Sequence, residues 1–216
     1  HGETVLGDLN GELDVRNRHG DISTGDLGGE VDFDLSFGSL YAGKLNTGEL
    51  NISHMGSCRV ASMGDMEIDM QHSNLDVGDV GEIDLSIRHG NVEFEKAVSI
   101  IGSAQHSDVE VESISDELSI GVRHGGIELN NLQDGFKRVD IDAQFSKIDL
   151  GISKDANFRF DAEASFGNIY VPSEVDLRYK DKEQHNVHYR GSYGGSDTEA
   201  EIRLRNQHGN TSLRWR

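Results

Sequence analysis

The amino-acid sequence predicts an all-β fold, a single-domain parallel β-solenoid of about ten coils, each about 17–21 residues long. Three observations predict it: a short corner motif recurs at a nearly constant spacing, apolar and polar residues alternate strictly before each corner, and the chain has 26 glycines against one proline. Glycine accepts the tight backbone of a turn and proline interrupts a strand. This composition is therefore typical of many short strands joined by tight turns.

The corner motif consists of an aromatic residue, a histidine or a methionine, then Gly or Ser, then a small or polar residue, and usually an apolar residue. Its copies begin at His19, Phe37, Met55, His72, His89, His106, His124, Phe145, Phe166 and His208, so that the successive spacings are 18, 18, 17, 17, 17, 18, 21, 21 and finally 42. A period this regular is the signature of a repeat fold whose units pack on their neighbours. Gly or Ser at the second position predicts either a tight, left-handed backbone there or a backbone too crowded for a branched side chain.

Strict alternation precedes each corner, as in Ile83, Leu85 and Ile87 before His89. A period of two predicts a strand with one buried face. Because a unit this short cannot bury its apolar face alone, we expect successive coils to pair in parallel at ~4.8 Å around a narrow core. A stack of hairpins would instead need two-residue turns and a repeat that reverses direction, which the sequence lacks. Cys58 falls at an inward position, where a thiol acts as a small apolar side chain.

The two ends of the chain depart from the regular repeat. The opening residues from His1 match those from His19 at the same offset of 18, so the chain is expected to begin at a coil corner that other residues precede. The interval before the last corner is twice as long as the one before it and can hold one degenerate coil or a hairpin. We assign residues 1–171 to the coils. Residues 172–216, a degenerate coil or hairpin with the final coil, are assigned to a C-terminal cap of the same domain, because an uncovered solenoid edge recruits other strands.

The repeat also resembles a known kind of protein. Alternating strands with Gly-Asn or Gly-Asp corners, followed by a glycine-rich loop at 191–195, a last strand at 200–206 and a corner at 208–210, are similar to bacterial adhesin-like families of unknown function, including auto-transporter adhesin heads. The resemblance implies a right-handed β-helix in a cell-surface or periplasmic protein, and it carries over no catalytic or ligand residues. The many corner histidines are a peculiarity of this sequence.

The charge balance limits the classes of partner. Lys and Arg total 20 against 39 Asp and Glu, a formal net charge of -19. Such a surface repels nucleic acid, because phosphate binding needs clustered cations. A single cysteine excludes an intrachain disulfide and a cysteine metal cluster. No apolar run approaches the ~18–20 residues of a membrane span, and no signal segment is present, so a signal peptide or lipoprotein anchor is expected to have been removed.

Histidines at the corners are the first candidates for a binding site. His72, His89, His106 and His124 occupy one corner in four successive coils, and histidine is the commonest metal ligand. The same position is filled elsewhere by other bulky side chains, namely Phe37, Met55, Phe145 and Phe166. A position that accepts Phe or Met favours a stack of side chains over a metal site. We therefore interpret the histidines as a structural ladder and assign no metal or other cofactor.

Acidic residues five positions before the corners are the second candidates. They are Asp14, Asp32, Glu67, Asp84, Asp140 and Asp161, and they are expected to form one outward column. Calcium favours several carboxylate oxygens, but the glycine-aspartate nonapeptide of calcium-binding β-rolls is absent. A solvated acidic face that keeps a long solenoid soluble is the favoured interpretation.

No residues are predicted to be catalytic. The coils between Gly11 and Ser153 carry no long insertion that could wall the groove of a polysaccharide-cleaving enzyme, and the sequence has no nucleophile elbow or phosphate loop. The sequence favours a non-enzymatic cell-surface or periplasmic protein, an adhesin or scaffold that contacts glycans or proteins. A glycan-active β-helix enzyme and the ectodomain of a sensor or regulatory envelope protein are the alternatives. The oligomeric state is not predicted.

Overall fold

A computed structural model describes residues 2–195 and 198–216, and in these residues the chain forms 18 β-strands and no helix. The first nine strands are β1 (Gly2–Leu6), β2 (Leu13–Arg18), β3 (Gly20–Thr24), β4 (Leu27–Ser36), β5 (Ser39–Ser53), β6 (Ser57–Gln71), β7 (Asn74–Arg88), β8 (Asn91–Gln105) and β9 (Asp108–Arg123). The other nine are β10 (Gly126–Leu132), β11 (Arg138–Gln144), β12 (Lys147–Ile152), β13 (Phe158–Ser165), β14 (Ile169–Tyr170), β15 (Asp176–Lys182), β16 (Asn186–Tyr193), β17 (Glu201–Gln207) and β18 (Thr211–Trp215). A helix able to cross a membrane is accordingly absent from the described residues.

Successive coils pair in parallel, with equivalent residues side by side. Strand β7 pairs with β8 so that Leu75 lies beside Val92 and Ile87 beside Ala104, an offset of one coil. The same pattern joins β5 to β6, β6 to β7, and β8 to β9. The predicted parallel β-solenoid is confirmed. The expectation that the chain begins at a corner rests on His1, which lies outside the described residues.

Alternating apolar side chains fill the narrow interior of the solenoid. Ile83, Leu85 and Ile87 are each at most 2% exposed, while Ser86 between them faces outward. Cys58 is also buried, as the repeat predicts. Burial of each large apolar side chain stabilises the fold by about 1.5–3 kcal/mol. Since no coil buries its interior face alone, this stabilisation comes from stacking on the neighbouring coils.

The corner residue itself, and not the Gly or Ser after it, adopts the left-handed backbone. Ten corner residues of the described chain have φ between +48° and +65°, namely His19, Phe37, His54, His72, His89, His106, His124, Phe145, Phe166 and His208. Of the two alternatives predicted for the second motif position, left-handed backbone was therefore wrong. Histidine is one of the residue types enriched in this region of φ. The cost of the conformation is offset by ring contacts between the coils.

The second motif position is small because the neighbouring coil lies against it. A Cβ added to Gly90 would come within 2.0 Å of the carbonyl oxygen of Ser73, so the site has no space for a branched side chain. Where serine replaces glycine, its hydroxyl forms hydrogen bonds to the neighbouring coil and to its own. Ser107 Oγ accepts a hydrogen bond from the Gly90 N–H at 3.2 Å and donates one to the carbonyl oxygen of Gln105 at 2.7 Å. Steric crowding and hydrogen bonding together explain the alternation of Gly and Ser.

The third corner begins at His54 and not, as the motif suggested, at Met55. His54 has φ +53° and its ring lies between those of Phe37 and His72. Met55 is 4% exposed, and its N–H donates a hydrogen bond to Ser73 Oγ at 3.0 Å. This coil contains one extra residue between the corner and the next strand, since Cys58 pairs with Leu75 although the corners lie at His54 and His72.

The final coil lies inside the stack. Strand β17 pairs in parallel with β11 on one edge and with β13 on the other, and β18 likewise pairs with β12 and β14. The end of the solenoid is covered instead by the antiparallel hairpin β15–β16, whose second strand pairs with β13. The prediction that the final coil belongs to the cap was therefore wrong.

Candidate functional site

A continuous ladder of stacked rings runs along one corner of the solenoid. In stacking order its eleven described rings belong to His19, Phe37, His54, His72, His89, His106, His124, Phe145, His208, Phe166 and His185. Neighbouring ring centroids are 4.7–5.1 Å apart, close to the spacing of paired strands. The ring edges face solvent, as at Phe145, which is 49% exposed. We call this feature the ring ladder.

The ring ladder brings the four predicted histidines together, but in a geometry that suits stacking. The rings of His72 and His89 are 4.8 Å apart and 1° from parallel. Equivalent nitrogens of two parallel rings are separated by about the same distance as the centroids. Zinc–nitrogen bonds are about 2.0–2.1 Å long, so two nitrogens on one ion lie at most about 4.2 Å apart. A metal ion would have to open the stack, and the geometry favours the structural interpretation.

The predicted acidic column exists over five consecutive coils. Its carboxylates pair in the order Asp14, Asp32, Glu49, Glu67 and Asp84. Glu49 was missed because the third corner was placed one residue too late; it lies five positions before His54. The next position in the column is Ile101, which is 50% exposed. We keep the name acidic column for these five carboxylates.

Asp140 and Asp161 do not extend the acidic column. Ile101 and Ser119 separate Asp140 from Asp84, and Arg203 of the final coil lies between Asp140 and Asp161. Arg203 approaches Asp140 at 3.8 Å, and Arg190 of the cap approaches Asp161 at 3.2 Å. Charges of opposite sign therefore alternate at this end of the solenoid. The sequence spacing could not show this, since the interleaved arginines come from coils far away in the chain.

A second row of carboxylates lies on the short-strand side of the solenoid. Its members pair in the order Asp76, Glu93, Glu110, Glu128 and Asp149. Each lies four positions after a corner residue, so the same repeat that located the acidic column contained the signal for this row. Four of these carboxylates line an open groove of about 660 Å³ with the side chains of Asn74, Asn91, Asp108 and Lys147. We call it the acidic groove.

The uncompensated negative charge of the acidic groove lies at its centre. Its ends are neutralised, since Arg59 lies 3.0 Å from Asp76 and Arg214 lies 3.2 Å from Glu128. Within the described residues, no ion pair is formed by Glu93 or Glu110. These two carboxylates are exposed and offer hydrogen-bond acceptors to a partner that lies in the groove.

A smaller cluster in the cap joins Asp161, Glu163 and His188, the one group of the described residues whose possible metal-ligating atoms come within reach of each other. His188 Nε2 lies 2.8 Å from Asp161 Oδ1 and 3.5 Å from Glu163 Oε1. However, Arg190 Nε donates a hydrogen bond to the same imidazole nitrogen at 3.0 Å. The same guanidinium lies 3.2 Å from Asp161 Oδ2. Because Arg190 competes with any cation for Asp161, the cluster is an ion-pair network that joins the cap to β13.

The single thiol is not placed for chemistry. Cys58 is 2% exposed, and burial raises its pKa to about 12, with a smaller opposing effect from a backbone hydrogen bond at Leu40. The nucleophile in cysteine chemistry is the thiolate, which this environment disfavours at neutral pH. Cys58 is an apolar core residue.

Comparison with known proteins identifies one relationship. The family model described as Toastrack DUF4097 matches residues 7–214 of the chain. No curated protein and no solved structure matches it.

Proposed function

Since this chain belongs to the Toastrack DUF4097 family and folds as a parallel β-solenoid, we propose that it is a non-enzymatic binding module or scaffold of the bacterial cell surface or periplasm. Its partners are proteins or glycans that lie along the side of the solenoid. The adhesin-like description, the location and the absence of catalysis are parts of this proposal.

The observation that carries the proposal is the acidic groove. Carboxylates of consecutive coils lie in register along it, so equivalent groups repeat at the strand spacing of ~4.8 Å. An elongated partner with repeated hydroxyl or cationic groups makes several weak contacts at once, and linked contacts give more affinity than single ones. The negative field of the groove also accelerates encounter with cationic segments.

The shape of the groove supports binding more than catalysis. Small-molecule sites generally enclose most of the ligand in a concave pocket. The acidic groove is instead open along its length, and the strands β7, β8 and β9 that form it are joined by short corners. A partner lying there stays in contact with solvent.

The test compares two variants with the same change in charge on different faces. The groove variant carries Glu93→Gln, Glu110→Gln and Glu128→Gln. The control variant carries Asp32→Asn, Glu49→Gln and Glu67→Gln in the acidic column. The natural protein and both variants are screened on arrays of glycans and of peptides, and each hit is then assayed for turnover.

We expect some of the arrayed glycans or peptides to bind the natural protein. The groove variant should bind them with an affinity lower by about tenfold or more, and the control variant should bind them with the natural affinity. None of them should be turned over. Cleavage of a bound glycan would establish the glycan-active enzyme in place of the binding module. Equal loss of binding in the two variants would show that overall charge, and not the groove, attracts the partner.

A further inference from the structure

The C-terminal strands fill a slot between two coils. We call β17 and β18 the insert, and residues 138–152 with 159–170 the slot. Inside the solenoid, Ile202 lies between Val139 and Phe160, and it is 0% exposed. Leu204 is likewise 1% exposed. The insert therefore completes the core of two coils that are not its neighbours in the sequence.

The outward charges of the insert are complementary to both walls of the slot. Three rows cross the slot: Arg138–Glu201–Arg159, Asp140–Arg203–Asp161 and Asp142–Arg205–Glu163. In every row the insert residue faces a charge of opposite sign on each side. Without the insert, the two walls would present like charges to each other, which destabilises a paired sheet. The charge pattern thus selects this strand for this slot.

A ring and a side-chain amide of the insert also fit the slot. The ring of His208 lies 4.7 Å from those of Phe145 and Phe166, so it fills the one gap that the slot leaves in the ring ladder. Inside the corner, Asn206 is 4% exposed, and its Nδ2 donates a hydrogen bond to the carbonyl oxygen of Ser146 at 3.1 Å. The charge rows, the ring and the amide of the insert thus contact the slot, and Arg214 reaches beyond it to Glu128 at 3.2 Å.

The strand that precedes the insert and the insert itself lie on opposite edges of β13. Tyr193 at the end of β16 lies beside Phe158, and Glu201 at the start of β17 lies beside Arg159 on the opposite edge. The connection begins at Gly194, with φ +77°. Nothing in the paired rows requires the insert and the slot to belong to one chain. Exchange of an identical element between copies is a known route to dimers.

We propose that the slot accepts the insert of a second copy of this protein, so that copies can exchange their C-terminal strands. The inference is independent of the proposed function. At low concentration the tethered insert has a high effective concentration at its own slot, which favours the monomer. Exchange requires release of the insert and a second chain close by, so it is expected after refolding at high protein concentration.

The test reverses the charges of two rows in full-length chains. The insert-reversed variant carries Glu201→Arg and Arg205→Glu. The slot-reversed variant carries Arg138→Glu, Asp142→Arg, Arg159→Glu and Glu163→Arg. A matched control carries all six changes in one chain, which restores opposite charges in both rows. Each chain and a 1:1 mixture of the two reversed variants are unfolded and refolded, and mass and melting temperature are measured.

Each reversed variant alone should melt roughly 5 °C below the natural protein, because its own insert meets like charges. The control should be a monomer that melts above both reversed variants. It should still melt below the natural protein, because Arg138→Glu faces Glu117 and Glu163→Arg loses the contact with His188. The mixture should give a 1:1 heterodimer that melts like the control, since each insert then matches only the other chain's slot. A mixture that stays at the low melting temperature without heterodimer would overturn the proposal, as would unchanged melting of both reversed variants alone.

A second measurement uses the natural sequence. Unlabelled and ¹⁵N-labelled chains refolded together at high concentration should give mixed dimers in native mass spectrometry that persist on dilution. Monomer alone at every concentration would contradict strand exchange.

Discussion

The imidazole of His208 lies 4.7 Å from the ring of Phe145, 1° from parallel, although the two residues are far apart in the sequence. On its other side His208 stacks on Phe166 at the same distance. The ring ladder therefore passes through the final coil before it returns to the coil of Phe166. A coil inside the stack pairs on both edges and contributes to the stability of both neighbours.

The inward and outward positions of one strand should respond very differently to the same charge. Ile87→Asp buries a carboxylate without a partner and should cost several kcal/mol, enough to unfold the surrounding coils. Ser86→Asp, one residue away on the outer face, should change the free energy of unfolding by less than about 0.5 kcal/mol. Thermal melting of the two variants checks the assignment, and similar melting temperatures would contradict it.

Two glycines that differ in their surroundings provide a matched pair. Gly90→Ala forces a Cβ against the Ser73 carbonyl oxygen and should destabilise the protein by about 1–3 kcal/mol. A Cβ on Gly121 meets nothing within 4 Å, so Gly121→Ala should be neutral or slightly stabilising. Urea unfolding gives both values. If the two variants lose the same free energy, crowding between coils does not explain the small residue at this corner.

The ring ladder should accept Phe in place of His and reject a β-branched residue. His89→Phe keeps the stacking partner and should melt within about 2 °C of the natural protein. His89→Val loses the stack and places a branched side chain at φ +56°, which should cost about 2 kcal/mol. Thermal melting measures both effects, and equal losses in the two variants would show that ring stacking does not stabilise the corner.

The effect of added zinc on the melting temperature distinguishes a structural ring ladder from a metal site. A triple variant, His72→Phe, His89→Phe and His106→Phe, should show the same response of its melting temperature to added zinc as the natural protein. A zinc-dependent rise in melting temperature confined to the natural protein would show that the imidazoles bind the ion.

Burial of Cys58 should make stability depend on alkaline pH. Its pKa is raised from 9.0 to about 12 by burial, so the folded state holds the thiol proton more tightly than the unfolded state. This contribution is fully present below about pH 9 and is lost as pH rises through the folded pKa. Between pH 9 and pH 12 the natural protein should lose more stability than Cys58→Val. A thiol reagent at pH 8 should modify the unfolded chain and not the folded one; equal modification of both would contradict the buried position.

The fold followed from the sequence because its causes are local and repeated. Alternation before each corner places Ile87 inside and Ser86 outside, and the repeat period sets the pairing of β7 with β8. The same period located most of the acidic column. One inserted apolar residue, Met55, was enough to displace a corner, since Met and His are both plausible members of a stack.

Features that depend on pairing between distant parts of the chain could not be predicted from the sequence. Arg203 interrupts the column of Asp140 and Asp161 because a strand from much later in the chain returns between them. His188 reaches Asp161 only through the antiparallel hairpin of the cap. Left-handed backbone was one of two alternatives for the corner glycine because non-glycine residues seldom adopt it, whereas the ring ladder holds ten of them in that conformation.

Disulfide formation between engineered cysteine pairs tests the position of the final coil most directly. In a Cys58→Val background, Asp142→Cys with Arg205→Cys places the two cysteines on adjacent strands, about 4.8 Å apart and within the reach of a disulfide. Asp142→Cys with Glu163→Cys places them on either side of β17, about twice that distance and too far to bridge. We predict rapid oxidation of the first pair and none of the second in the folded protein. Oxidation of the second pair and not of the first would show that the final coil does not lie between these strands.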